Sequence, residues 1–347
     1  MRLPVKAAIL AACVAGALPT AARADEVEDF YKGKTITIWV GYGTGGGYDS
    51  AARLLSRHFG EHVPGKPNVI VQNITGAGSL LAANNLYNIA PRDGTVLGVF
   101  SSTVAVMPLY KDPKAKFETL KFNWIGNIHR DTLACGVWNG AGQGIHTLED
   151  LIAAKKTVMF GSDGGDAPLT RWALFMKNVT GANLKVISGY KGTREINLAM
   201  QSGELGGTCG MFESTVRSAY ADDYKAGRLS LFVQTAYKRN VEYFGKATNI
   251  YTLLKTPEEV QMAKLVFGVA EMTRPLAAPP GAPADRVAAL RKALLETIAD
   301  PAFQEEARRS GTDFSPMSGD ETAAELKALF ETPDAVVEKA SAATSKQ

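Results

Sequence analysis

Thr35-Ile36-Thr37-Ile38-Trp39-Val40-Gly41-Tyr42-Gly43-Thr44-Gly45-Gly46-Gly47-Tyr48-Asp49 carries the signature of the whole fold. Its first six residues are β-branched or aromatic, the composition of a buried strand. Glycines then break the run, and from 48 to 59 Ala52, Leu55, Ser56 and Phe59 recur at helical spacing. Strand, glycine loop and helix form one half-turn of an open α/β sheet with helices on its faces. The same rhythm continues with a strand at 69–71, a Thr75-Gly76-Ala77-Gly78 loop and a helix over 80–89. Pro91-Arg92-Asp93-Gly94 then supplies a turn before a third strand over 95–100.

A second series starts further on. It predicts a short helix over 148–154, a strand over 157–160, the loop Gly161-Ser162-Asp163-Gly164-Gly165-Asp166, and a helix from 168 to about 179. A strand over 184–187, a helix over 193–202 and a strand over 229–234 follow. Val287, Leu290, Leu294 and Ile298 form one apolar stripe in a helix over 283–298, behind a rigid Ala278-Pro279-Pro280-Gly281-Ala282-Pro283 linker. The expected fold class is α/β, in two lobes, each an open sheet flanked by helices.

Length and charge agree with that division. The 347 residues suit about two domains. Lys and Arg number 38 against 35 Asp and Glu, and Arg2, Lys6 and Arg23, which precede the first acidic residue Asp25, account for the whole +3 excess. The rest of the chain is neutral, which gives no reason to expect a nucleic-acid partner. Arg2 and Lys6, the apolar run from Ala7 to Leu18, and Ala22-Arg23-Ala24 make a secretory signal peptide over 1–24. Leu10-Ala11-Ala12-Cys13 also resembles a lipobox, so lipidation of Cys13 is the secondary reading beside soluble release to the periplasm. Cys135 and Cys209 are then the remaining cysteines. Export permits a disulfide between them, and two buried thiols fit equally well.

Gly41-Tyr42-Gly43-Thr44-Gly45-Gly46 formally matches the G-x-G-x-x-G dinucleotide fingerprint. The carboxylate needed for a ribose about 20 residues later is missing, since Val71 runs into Gln72 and Asn73. Glycine loops ahead of helices have a wider use, because close-packed amides and free helix N–H groups surround an anion. The 75–79 and 161–166 loops share this chemistry. Two such loops in one lobe and one in the other predict an anion site in a cleft between lobes. Asp49, in the first turn of its helix, is as well placed to cap that turn as to meet a ligand.

In this order, the motifs make the chain resemble the exported solute receptors of the tripartite tricarboxylate transporter family, the Bug-type binding proteins, over residues 30–330. The resemblance rests on Trp39 to Asp49 with Ala52-Arg53 behind, on Asn73-Ile74-Thr75-Gly76-Ala77-Gly78, and on Pro91-Arg92-Asp93-Gly94. It rests also on Gly161 to Gly165, Tyr190-Lys191-Gly192, and Gly281 before the C-terminal helix. It implies a clamshell of the type II periplasmic-binding-protein kind, with lobe 1 at 25–128, lobe 2 inserted at 129–235, and 236–347 completing lobe 1 with crossover segments and C-terminal helices. It further implies a monomer that binds a small organic acid without cofactor or metal and hands it to the small and large transmembrane subunits of a permease. Carried over residue by residue, the site would comprise Tyr42, Thr44, Gly46, Asp49, Thr75, Ala77 and Ser79 on one lobe, and Ser162, Gly164, Asp166, Tyr190 and Met211 on the other.

Tyr42 and Thr44 depart from the family's usual first loop, and Asp163 and Asp166 add carboxylates to a loop that is usually uncharged. An Asp166 aimed into the cleft would repel a carboxylate or take an amine or hydroxyl. A monocarboxylate, an amino acid or an aromatic acid therefore stands beside a tricarboxylate as ligand. Two alternatives remain on the same scaffold: a sensory receptor, and a hydrolase or lyase using Asp163 or Asp166 with His129. His58 and His62 lack the Glu of an H-E-x-x-H site, and Ser162 lacks a nucleophile elbow. Arg53 and Arg171 are expected to be solvated or paired on their helices.

Overall fold

The computed structural model describes residues 20–139, 144–164, 167–190, 192–237, 240–310 and 314–345. The leader up to residue 19, Cys13 included, lies outside them. A helix at Thr20–Tyr31 runs across the expected Ala24–Asp25 cleavage point, and its end belongs to the fold, since Val27 and Tyr31 are buried in the first lobe's core.

Twelve strands among the described residues divide into two six-stranded sheets. The chain enters the first with β1 (Thr35–Val40), β2 (Asn68–Asn73), β3 (Val96–Val99) and β4 (Asn123–Asn127). It crosses to the second for β5 (Leu133–Trp138), β6 (Val158–Ser162), β7 (Leu184–Ser188), β8 (Gly207–Phe212), β9 (Leu229–Gln234) and β10 (Thr248–Asn249). It returns with β11 (Pro275–Ala278) and β12 (Met317–Ser318). The sheet orders are β2-β1-β3-β11-β4-β12 and β7-β6-β8-β5-β9-β10. In each, a parallel triplet meets one antiparallel strand that arrives after a crossover: β11 beside β3, β5 beside β8. Both sheets are mixed and helix-flanked, as a two-lobed clamshell requires.

Burial explains these elements locally. In β1, Ile36, Ile38 and Val40 are fully buried at period two, and helix Gly47–His62 covers them with Ala52, Leu55 and Phe59. A second apolar layer, with Leu86, Phe100 and Trp124, fills the sheet's other face. The second lobe has one continuous core, and Cys135 and Cys209 face each other within it across β5 and β8 and are joined in a disulfide.

Residues 236–347, expected to complete the first lobe, divide between the two. β10 pairs with β9, helix Pro257–Phe267 buries Ala263, Leu265, Val266 and Phe267 in the second core, and helix Asp334–Ser345 adds Val337 and Ala340 to it. The second lobe thus runs well past residue 235 and also recruits the last described helix. The reason is apolar surface: Phe244 and Ile250, fully buried, find their partners in that core.

Candidate functional site

Loops after β1, β2 and β6 meet around a cavity of about 720 Å³ whose wall draws on both lobes. The first lobe's side begins with a close approach. A Cβ on Gly41 would collide with that of Ser79, so only glycine lets the two loops touch. The second loop is wound in the left-handed region, with φ of 48° at Ala77, 61° at Gly78 and 77° at Ser79. Holding Ala77 and Ser79 there costs conformational energy, which the surrounding contacts offset. Ser79 is fully buried, and its hydroxyl accepts the Ser101 N–H at 2.8 Å. Tyr42 stacks on Tyr48 with centroids 4.5 Å apart. Burial raises both phenols, and the nearby Asp163 charge adds to this, leaving Tyr48 at about 12. Both are neutral donors at physiological pH.

Asp49 is buried but turned away from the cavity. Its carboxylate accepts Gly45 N–H at 2.9 Å, Arg53 Nε at 2.9 Å and Asn73 Nδ2 at 2.8 Å. Asn73 Nδ2 also donates to Tyr42 O at 2.8 Å, and Arg53 donates to Asn73 Oδ1 at 3.0 Å. Burial opposes the ionised form, yet the hydrogen bonds from Arg53, Gly45 and Asn73 prevail and hold Asp49 below its ordinary range. The triad is a staple that fixes the first loop.

The second lobe contributes Asp163, Gly164 and Tyr190 to the wall. Tyr190 donates to Glu204 at 2.6 Å, and burial with that carboxylate pushes its phenol up to about 12. Arg171, one turn into helix Pro168–Thr180, lies 4.6 Å from the ring centroid of Tyr110, so a cation–π contact bridges the lobes. Val104, Met107, Leu265, Val266 and Val269 make the rest of the wall largely apolar.

Of the expected residues, Tyr42, Thr75, Ala77, Ser79, Gly164 and Tyr190 come together at this cavity. Thr44 and Gly46 do not: both are exposed on the far part of their loop, where Gly46 precedes helix Gly47–His62. Asp49 belongs to the staple. Ser162 is fully buried beneath its loop, its hydroxyl accepting from Thr170 at 2.6 Å. Met211, opposite Ala134 of β5, is buried in the second lobe's core. Asp166 lies outside the described residues. Asp163, read in the sequence as an added loop carboxylate, Arg171, read as solvated or paired, and Tyr110, which the sequence did not mark, also line the cavity. Arg171 sits eight residues after Asp163 and at the start of the next helix, a spacing that signals proximity. Tyr110, in a short turn at Met107–Tyr110, carries no such signal.

His129 is not among the cavity's lining residues. It lies in the first crossover, with Nδ1 accepting Ser315 N–H at 3.1 Å and Nε2 3.5 Å from Asp131. Asp131 in turn accepts Thr132 N–H and the Ser214 hydroxyl, and Thr273 of the return crossover donates to His129 O at 2.6 Å. This network ties the two crossovers together. Among the described residues no cluster of three or more His, Cys, Asp or Glu has metal-site geometry, and no helix is long and apolar enough to cross a membrane.

Comparison with known proteins accords with this geometry. The family model described as tripartite tricarboxylate transporter family receptor matches residues 61–340. No curated protein matches. Among solved structures, the periplasmic binding protein BugD shares 19% identity at TM-score 0.67, covering 90% of this chain and 99% of that one. MatC from Rhodopseudomonas palustris, solved with malate, shares 16% identity at TM-score 0.66, covering 88% and 99%. An R. palustris protein solved with adipate shares 17% at TM-score 0.66, covering 89% and 97%. At these identities the likeness is one of fold.

Proposed function

This chain belongs to the tripartite tricarboxylate transporter family of receptors, and on that premise we propose that it holds a small organic anion in the cavity between its two sheets and presents it to a multispanning permease. As a member it is a periplasmic solute receptor for small organic acids. The observation that carries the finer reading is the cavity wall itself. The Gly41–Gly43 and Thr75–Ser79 segments and the Asp163-Gly164 segment face one space from opposite lobes. Backbone amides and the hydroxyls of Thr75 and Tyr42 supply donors, and apolar surroundings strengthen each bond. Malate and adipate in two proteins of the same fold support a carboxylate of this size.

In this reading the protein reaches the periplasm through cleavage after Ala24, and small and large transmembrane subunits receive the ligand. The test is a thermal-shift and calorimetric screen of residues 25–347 against mono-, di- and tricarboxylic acids, amino acids and aromatic acids. A ligand that binds only the folded state raises the melting temperature. Stoichiometric binding without turnover supports the receptor. Turnover of a bound compound would replace it with the enzyme alternative, and the absence of any shift would remove the organic-acid assignment. N-terminal sequencing of exported protein checks the Ala24 cut against lipidation at Cys13.

A further inference from the structure

Four charged side chains line the cavity, Asp112, Lys114, Asp163 and Arg171. Arg171 lies on the Tyr110 ring. Asp112, also on the wall, is engaged in its own turn, accepting Lys114 N–H at 2.9 Å. Asp163 lines the wall from the second lobe, and Tyr42 and the Gly41–Gly43 segment line it from the first. Among the described residues no lysine, arginine or histidine pairs with Asp163. Its side-chain contact is the Ser162 hydroxyl at 3.4 Å. Burial raises its pKa, and its charge reaches the Tyr42 and Tyr48 phenols of the opposite lobe. A carboxylate left without a cation in a half-buried pocket is costly, and an opposite charge within a few ångströms removes that cost.

We propose that Asp163 selects a ligand bearing a protonated amine together with its carboxylate, the ammonium seated between Asp163 and the Tyr42 ring and the carboxylate directed toward the loop amides. This rests on the cavity being the organic-acid site and narrows its ligand to the amino-acid class. A plain dicarboxylate meets Asp163 as a like charge and must bind with an extra proton or away from that side chain. An amino acid of the same length gains the partner that Asp163 lacks, and the Tyr42 face adds cation–π attraction.

Matched pairs decide it: succinate against aspartate, glutarate against glutamate, and adipate against 2-aminoadipate, by calorimetry at pH 7 on residues 25–347. For at least one pair the amino member is expected to bind about tenfold tighter or more. In Asp163→Asn that preference is expected to vanish or invert, with the melting temperature unchanged or higher. Asp163→Ser repeats the test should asparagine disturb the loop. If the des-amino acids bind as tightly as their partners and both variants leave the ratios unchanged, the proposal fails while the carboxylate receptor stands. If no acid of either series binds, both fail together.

Discussion

β1 and β6 hold equivalent places in their sheets, and each is followed by an aspartate, one in the first turn of the next helix and one in the loop before it, yet the two have opposite fates. Asp49 is surrounded by Arg53, Asn73 and Gly45 N–H, so its charge is consumed in holding its own loop. Asp163 has no cation among the described residues and faces the cavity. The same side chain is a structural staple in one lobe and a recognition group in the other. What separates them is whether a cation arrives one helical turn later. Arg53 follows Asp49 at i+4 and pairs with it, whereas the described residues include no lysine, arginine or histidine paired with Asp163.

The contrast between the lobes can be broken first at the disulfide, which cross-links only the second. Reducing Cys135–Cys209, or replacing both by alanine, frees a 74-residue separation and is expected to cost about 4 kcal/mol, read as a lower urea midpoint. Equal stability with and without reductant would show that the bridge adds nothing to the sheet.

Next in size is Asp49→Ala. It strips three donors of their acceptor and is expected to cost about 2 kcal/mol, a fall of a few degrees in melting temperature. Because Arg53 is partly exposed, solvent takes up part of the loss.

Asp163→Asn carries the opposite sign, with stability equal or higher by at most about 1 kcal/mol. Their pH profiles should oppose as well. Asp49 has a lowered folded-state pKa, so its contribution is present above the ordinary value of 3.8 and is lost as pH falls through the depressed value. Asp163 has a raised one, so its contribution is full below 3.8 and is lost as pH rises through the raised value. Urea melts from acid to neutral pH should show Asp49→Asn removing a gain with rising pH and Asp163→Asn removing a loss. Parallel profiles would contradict the contrast.

The smallest effect is expected at Ala77→Gly, where relief of the left-handed backbone outweighs the greater freedom of the unfolded chain by less than about 1 kcal/mol. A loss of stability there would mean that the Ala77 methyl packs more than the backbone strains.

Local patterns read these elements well where one face is buried. β1, helix Gly47–His62 and helix Pro301–Arg309 follow from alternation, helical spacing and capping residues. The Asp49–Arg53 pair was equally visible, since i,i+4 neighbours meet on any helix. Met211 was harder to place: the pairing slips between Ala134 and Cys135, so Met211 and Cys209 sit opposite adjacent β5 residues and strand parity does not put them on one face. β11 was not legible. Pro275-Leu276-Ala277-Ala278 has no strand propensity, but the gap between β3 and β4 is filled by this segment, whose last three residues are fully buried.

By itself the sequence determined the two α/β units, the glycine loops at their strand ends and the neutrality of the chain beyond its leader, because these depend on neighbours a few residues apart. Only the tertiary structure decided that helix Pro257–Phe267 and helix Asp334–Ser345 serve the second lobe, that the two cysteines face each other, and that Asp163 rather than Asp49 looks into the cavity. Those outcomes depend on which distant surfaces meet, and a side chain's charge becomes a staple or a binding group only once its partners in space are settled.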